Sequence, residues 1–435
     1  MATRNNGAVT VEYSRAQVPD DAFETSAAVD RATHALSGIV SRTPLLQNQR
    51  LSERAGAQVW LKREDLQPVR SYKLRGAYNL MTHLDAGERA AGVICASAGN
   101  HGQGVAYACR VLGVNGRIFV PTTTPRQKRD RMLALGGDRI ELVVIGDTYD
   151  DSAEAAAAAA AASRATLVPA FDDPRVIAGQ GTIAAEIVDQ LGRAPDVLVL
   201  PVGGGGVLAG CLSWLSVHHP ETRVVGVEPA SAACMMAALA AGEPVSLPAI
   251  DTFVDGAAVR RAGRHTFPLV RDAGTEIVST AEGRICTEML ELYQVDGVIA
   301  EPAGALAAAA LGHEVQVQPG QTVVALLSGG NNDVSRYAEI VERSLVHEGR
   351  KHYFLVNFPQ EPGALRRFLD EVLGPDDDIA HFEYVKRSNR ETGPALVGIE
   401  LGSPDDFPGL LDRIAASPMS VELISADSPF YRMLV

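Results

Sequence analysis

From about residue 55 to residue 330 the chain repeats one unit: a short apolar run, a glycine-bearing turn, then ten or more residues of helical character. Strands are expected at Val59–Lys62, Gly92–Ala96, Gly116–Val120, Ile140–Ile145, Thr166–Ala170, Val197–Val202, Val224–Val227, Glu276–Ser279 and Val323–Leu327. Many of these runs show no polar–apolar alternation, which is the pattern of a sheet covered on both faces. Helices between successive strands make the sheets largely parallel, so the fold class is α/β. The strands outnumber one small doubly wound sheet, and two α/β subdomains with a cleft between them are expected. Asp150–Arg164 is alanine-rich and reads as a helix, because alanine is the best helix former.

After Asn332 the pattern changes. Val334–Val346 reads as a connecting helix and Glu348-Gly-Arg-Lys351 as a break. Strand Tyr353–Asn357, helix Gly363–Val372, strands Ile379–Lys386 and Ala395–Leu401, helix Pro404–Ala416 and strand Ser420–Ser425 then follow. That βαββαβ order is a ferredoxin-like module. Residues 352–435 carry 14 acidic against 7 basic side chains, half of the chain's net charge of −14, which marks a separate domain. The acidic balance argues against nucleic acid or an anionic membrane as partner. No apolar run reaches membrane length, and the start, MATRNNGAVTVEYS, lacks a hydrophobic signal core, so a cytoplasmic protein with a loose leader is expected. Cys95, Cys109, Cys211, Cys234 and Cys286 are scattered without CxxC spacing and read as reduced core residues. His218-His219 reads as a helix end, not a metal pair.

Lys73 lies in Ser71-Tyr-Lys-Leu-Arg-Gly-Ala77, where Ser71 suits a helix N-cap and Tyr72 to about His83 reads as helix. Lys73 and Arg75 therefore occupy a first turn, where the helix dipole disfavours cations. A local rule broken in this way marks a candidate functional site. An amine whose protonated form is disfavoured is the nucleophile that forms a Schiff base with an aldehyde.

Three further turns accompany it. Ser97-Ala-Gly-Asn-His-Gly-Gln-Gly104 follows a strand and opens a helix, so its N–H groups can cradle a carboxylate, and Asn100 adds an amide suited to a phenolic oxygen. Gly203, Gly204, Gly205 and Gly206 lie between a strand and a helix, where the backbone can close on a phosphate. Ser328-Gly-Gly-Asn-Asn332 ends a strand, and its hydroxyl could meet a ring nitrogen. Each of these turns, viewed alone, also serves as a plain connection. Gly204, Gly206 and Ala209 moreover satisfy GxGxxA, with Glu228 about 20 residues on, as a dinucleotide site requires. A nicotinamide-dependent oxidoreductase is thus an equal reading of those residues. It falls past residue 200, however, and gives Lys73 no task.

Taken in order, Ser71–Ala77, Ser97–Gly104, the four glycines and Ser328–Asn331 resemble the fold-type II pyridoxal-phosphate enzymes, whose catalytic unit is tryptophan synthase β-like. More narrowly the chain is similar to the biosynthetic threonine ammonia-lyases, or threonine dehydratases. Thr43-Pro-Leu-Leu46, Lys62-Arg-Glu-Asp65, Gly179-Gln-Gly-Thr182, Val227-Glu-Pro229, Asp255-Gly256 and Glu301-Pro-Ala-Gly304 fit the same pattern, and Tyr72 replaces the usual phenylalanine. The resemblance covers about residues 25–435. It implies a leader at 1–24, a catalytic domain at 25–335 with a small subdomain inserted at about 55–165, a linker at 336–350, and an ACT-like regulatory domain at 351–435.

By that resemblance Lys73 holds pyridoxal 5'-phosphate as a Schiff base and, once freed, removes the substrate's α-proton. Gly203–Gly206 bind the phosphate, Asn100 the ring oxygen and Ser328 the pyridine nitrogen. The turn Ser97, Ala98, Gly99, Asn100 and His101 receives the substrate carboxylate. The implied reaction is β-elimination from L-threonine to 2-oxobutanoate and ammonia, the first step towards isoleucine, assisted by the cofactor phosphate as acid. Serine racemases of this fold carry a second serine where Ala98 stands, so racemisation is expected to be weak. They also bind a divalent cation through a carboxylate where Cys234 stands, so no metal is expected, with a monovalent ion left open. The single regulatory module implies a homo-oligomer, dimer or tetramer, whose paired modules bind isoleucine, with valine as a second candidate effector. Serine or hydroxyaspartate dehydratase, threonine synthase and a non-catalytic amino-acid sensor are the competing readings.

Overall fold

Strands without alternation need cover on both faces, and they obtain it in two mainly parallel sheets. The computed structural model describes residues 20–384, 391–425 and 428. The first nineteen residues of the expected leader, and Val385 and Lys386 of one expected strand, lie outside them. The chain divides into two compact units, Met1–Asp333 and Val334–Val435.

In the first unit the strands are β1 Leu45–Gln47, β2 Gln58–Arg63, β3 Val93–Ala96, β4 Gly116–Val120, β5 Ile140–Val144, β6 Thr166–Leu167, β7 Val197–Pro201, β8 Arg223–Pro229, β9 Glu276–Thr280 and β10 Thr322–Leu327. One sheet runs β1-β2-β10-β7-β8-β9 and the other β5-β4-β3-β6. Every pairing is parallel except the edge pair β1–β2. All residues of β7 and β10 are buried, as their unbroken apolar runs require. The nine expected strands form within two residues of their expected ends, except that Thr166–Ala170 shortens to Thr166–Leu167. Val168 still donates to Ile94 (2.8 Å), but Pro169 has no N–H with which to extend the ladder. The alanine-rich segment is the helix Tyr149–Ser163, capped by Thr148.

The lysine helix runs Lys73–Thr82, a residue shorter at each end than expected. The N-cap is Tyr72 and not Ser71 as expected, because Tyr72 already has helical backbone angles; Ser71 Oγ nonetheless accepts the Lys73 N–H at 3.1 Å. The helix packs against Pro174–Leu191 at a pair of glycines: a Cβ on Gly179 would lie 2.5 Å from the Arg75 carbonyl, and one on Gly76 2.5 Å from the Gln180 amide. Gly179-Gln-Gly-Thr182 is therefore a helix-contact motif. The carboxyl ends of β2, β10 and β7 lie side by side, so the chain leaving each of them meets at one sheet edge, where open α/β sheets place ligands.

In the second unit the strands are β11 Lys351–Pro359, β12 Asp378–Tyr384, β13 Thr392–Glu400 and β14 Ser420–Leu423, ordered β12-β13-β11-β14 with all neighbours antiparallel. Helices Ala364–Val372 and Phe407–Ala416 complete the βαββαβ arrangement expected from the sequence. Phe354, Val356, Phe368, Val397 and Leu410 form its own core.

Candidate active site

The first turn of the lysine helix holds two cations that meet opposite fates. Arg75 is buried and grips Glu64 with two hydrogen bonds, Nε to Oε2 at 2.8 Å and Nη2 to Oε1 at 2.7 Å. It also reaches Glu186 (2.9 Å) and Thr182 (3.2 Å). Lys62, wholly buried, donates to the same Glu186 (2.6 Å), to Gln190 (2.8 Å) and to the Thr43 carbonyl (2.8 Å). Burial pushes the Glu64 carboxyl up, but the Arg75 guanidinium outweighs it and holds the carboxyl below its usual range. Burial likewise lowers Lys62 against the pull of Glu186. Glu64 and Glu186 thus neutralise Arg75, with Lys62 sharing Glu186 and Thr43 bonding Glu64, and its conflict with the dipole is structural. Lys73 has no such partner: among the described residues it is in no ion pair and makes no side-chain hydrogen bond, and its Nζ lies 5.0 Å from the Tyr72 ring centroid.

Lys73, Asn100, Gly203 and Ser328 line one cavity, together with Ser71, Tyr72, Pro201, Gly256, Ala257, Glu301 and Ala303. Of the residues expected at the site, Gly204, Gly205 and Gly206 continue the loop beyond Gly203, and Ser97, Ala98, Gly99 and His101 flank Asn100 without lining the cavity.

The glycine loop is held from behind. The Gly204 carbonyl accepts from Thr266 Oγ1 (2.6 Å) and Gly263 N (3.3 Å), the Gly205 carbonyl from Ala209 N (2.8 Å), and the Gly203 carbonyl from the Cys234 thiol (3.5 Å). Among the described residues, none of the N–H groups of Gly203 to Gly206 has an acceptor. The carbonyls are tied back and the amides left at the start of the helix Gly206–His218, an arrangement suited to an anion. Gly205 sits at φ +94°, and a Cβ on Gly204 would lie 2.2 Å from the Phe171 ring, so the loop needs glycine at both positions.

The Ser97 turn enters the helix Asn100–Leu112. The amides of Ala98, Asn100 and His101 have no acceptor among the described residues, while Gly99 N donates to Ser97 Oγ (3.2 Å). The His101 ring is buried and bonded to the Val168 carbonyl (2.8 Å); burial pushes its pKa down to about 4, so it contributes its backbone and not a proton. Ser328 Oγ accepts the Tyr72 N–H (3.1 Å), which leaves its own hydrogen to donate. Asn100 donates to the buried Glu301 and accepts from Asn331. Burial, reinforced by the Asp255 carboxylate and opposed by Lys128 and Asn100, pushes Glu301 up to about 7.

Glu228 does not serve a dinucleotide. It is wholly buried, with its two oxygens turned to Met235 N (2.7 Å) and Met236 N (2.9 Å), so it is not open to a ribose hydroxyl. Glu64, Glu186, Glu301 and Asn331 were given no role from sequence. Glu64, Glu301 and Asn331 lay inside motifs recognised only by their order, and Glu186 carried no signal. Among the described residues no helix is long and apolar enough to cross a membrane.

A helix-borne lysine and a serine hydroxyl share one cavity with the start of a glycine loop whose amides have no acceptor among the described residues, which is the make-up of a pyridoxal-phosphate enzyme, and the residues present fit that cofactor. The family model for pyridoxal-phosphate dependent enzymes matches residues 36–329, and that for the C-terminal regulatory domain of threonine dehydratase matches residues 342–434. The chain is 59% identical over 430 residues to the biosynthetic L-threonine dehydratase IlvA of Mycobacterium tuberculosis, covering 98% of this chain and 100% of that one. It is 48% identical over 405 residues to the enzyme of the same name from Bacillus subtilis, covering 93% and 96%. The processed form of threonine deaminase isoform 2 from Solanum lycopersicum superposes with a TM-score of 0.72 at 35% identity, covering 79% of this chain and 99% of that one. The chain belongs to the pyridoxal-phosphate-dependent threonine dehydratases that carry a C-terminal regulatory domain.

Proposed function

We propose that the protein converts L-threonine to 2-oxobutanoate and ammonia, the water lost in elimination being regained when the released product hydrolyses. The observation that carries this reading is Lys73, in no ion pair among the described residues, in the cavity that also holds Asn100, Gly203 and Ser328. Bound pyridoxal phosphate supplies the electron sink that makes the α-proton of an amino acid removable. Lys73 would hold it through its Nζ, and the free Lys73 amine would take the α-proton of threonine. The amides of Gly203–Gly206 hold the phosphate. Ser328, already accepting from Tyr72, donates to the ring nitrogen, and a neutral donor there favours loss of the β-hydroxyl over racemisation or transamination. The amides of Ala98, Asn100 and His101 orient the substrate carboxylate, and Ala98 provides no second base. Formation of 2-oxobutanoate from threonine tests the reading, and Lys73→Ala is expected to lower kcat by at least about 10³-fold. Retention of more than a tenth of the activity would mean that another group is anchor and base.

The second unit supports an effector role. Its β11 leads through Pro359 to Gly363, at φ +90°, which opens the helix Ala364–Val372 and exposes backbone at a turn. Leu365 and Leu369, one turn apart on that helix, are 42% and 40% exposed, an apolar strip suited to a second module. We infer a cytoplasmic homo-oligomer whose paired modules bind isoleucine, with valine as a second candidate effector. Added isoleucine should raise the threonine concentration needed for half-maximal rate; unchanged kinetics would refute the effector assignment.

A further inference from the structure

The Asn100 amide is held in one orientation by a chain of hydrogen bonds that starts at a backbone carbonyl. Asn331 Nδ2 donates to the Val69 carbonyl at 3.0 Å. A carbonyl can only accept, so the orientation of Asn331 is fixed by that bond. The same Nδ2 donates its second hydrogen to Asn100 Oδ1. Asn100 must therefore turn its nitrogen the other way, where Nδ2 donates to Glu301 Oε1. One N–H of Asn100 remains, on a side chain that lines the cavity beside Lys73 and Ser328.

Glu301 is itself pinned. Its backbone N–H donates to the Gly329 carbonyl at 2.7 Å, and a Cβ on Gly329 would lie 2.3 Å from its Oε1. A Cβ on Gly256 would lie 3.1 Å from the same oxygen. Two glycines thus make room for this carboxyl, which is 5% exposed.

We infer that Glu301 and Asn331 are positioning residues that present Asn100 to the cofactor as a hydrogen-bond donor, never as an acceptor. This rests on the cofactor reading above. The ring oxygen of pyridoxal phosphate is then met by an N–H whose partner amide hydrogen and oxygen are both occupied, so the side chain cannot flip to present its oxygen. Glu301 acts purely as an acceptor. An ionised carboxylate, a neutral carboxyl and the carbonyl of a glutamine all keep that ability, which separates its role from that of a charge.

The test titrates apoenzyme with pyridoxal phosphate, reading the dissociation constant and the absorbance band of the bound chromophore, with thermal unfolding of each apoenzyme alongside. Glu301→Ala should weaken cofactor binding about tenfold, the size of one lost polar contact, and displace the band. Glu301→Gln should bind within about threefold of the wild type with an unmoved band. Asn331→Ala should reproduce the Glu301→Ala spectrum, and it carries the test if Glu301→Ala does not fold. In threonine turnover the alanine variants should lose kcat with KM little changed. If the alanine variants fold, bind as the wild type does and show its band, the positioning role is wrong while the cofactor reading stands. If Glu301→Gln is as impaired as Glu301→Ala, the role belongs to charge and the inference is equally overturned. Failure of the wild type itself to bind would remove the cofactor reading and this inference with it.

Discussion

Two buried carboxyls, Glu64 and Glu301, lie near the lysine helix and behave in opposite ways. Burial raises both. Glu64 faces the Arg75 guanidinium through two hydrogen bonds and is held below its usual range. Glu301 faces the Asn100 amide and, further off, the Asp255 carboxylate, and is pushed up to about 7. The sign of the neighbour decides the outcome, not the depth of burial. The first centre is a permanently charged brace under the helix. The second is an acceptor within the site, able to accept from Asn100 whether it is neutral or charged.

The largest effect is expected at the Arg75–Glu64 brace. Removing Arg75 leaves Glu64 with only the Thr43 hydroxyl, the Gln67 amide and the Lys62 charge to offset its burial, and loss of one partner of a buried pair costs about 3–5 kcal/mol. Arg75→Ala should unfold at much lower urea than the wild type or fail to accumulate. Glu301→Gln should change the urea midpoint little; comparable losses in the two variants would show that both centres are braces. A weaker effect, confined to the ligand, is expected at the glycine loop. Gly204→Ala sets a methyl against the Phe171 ring and must shift the amides, so cofactor affinity should fall about 10–100-fold with the apoenzyme still folded.

The smallest effect is the pH dependence, which has opposite signs at the two sites. Glu64 has a folded value below 4.5, so its contribution is present above that pH and is lost as pH falls through the folded value. Glu301 rises from 4.5 to about 7 on folding, so the folded apoenzyme binds the extra proton between those limits and loses stability as pH rises through them. The stability of wild-type apoenzyme relative to Glu301→Gln should therefore decline from about pH 4.5 to about pH 7 and then level off. A flat difference across that window would show that Glu301 titrates as an ordinary carboxyl.

Much of the frame was legible from residue patterns, since a strand such as Val323–Leu327 that is apolar at every position has only one place in an α/β protein. The edge strand Leu45–Gln47 was not, because three residues carry no period. Lys73, Asn100, Gly203 and Ser328 were legible as residue types at turns and do meet in one cavity. The brace was hidden, because Glu64 and Glu186 are 122 residues apart and their shared charge exists only once the helices pack. Arg75 shows the cost of reading locally: the dipole rule flagged it beside Lys73 on equal terms, and only the packed carboxylates separate the structural cation from the chemical one. Glu301 was hidden for a similar reason, since Gly256 and Gly329, which make its space, come from distant segments.

Lys73, which is in no ion pair among the described residues, is proposed as the covalent anchor. Borohydride reduction of the enzyme saturated with pyridoxal phosphate, followed by peptide mapping, tests it directly. The cofactor's mass is expected on the peptide containing Lys73, with the band at the edge of the visible absent from Lys73→Ala. Label on a different lysine, or an undiminished band in Lys73→Ala, would contradict it.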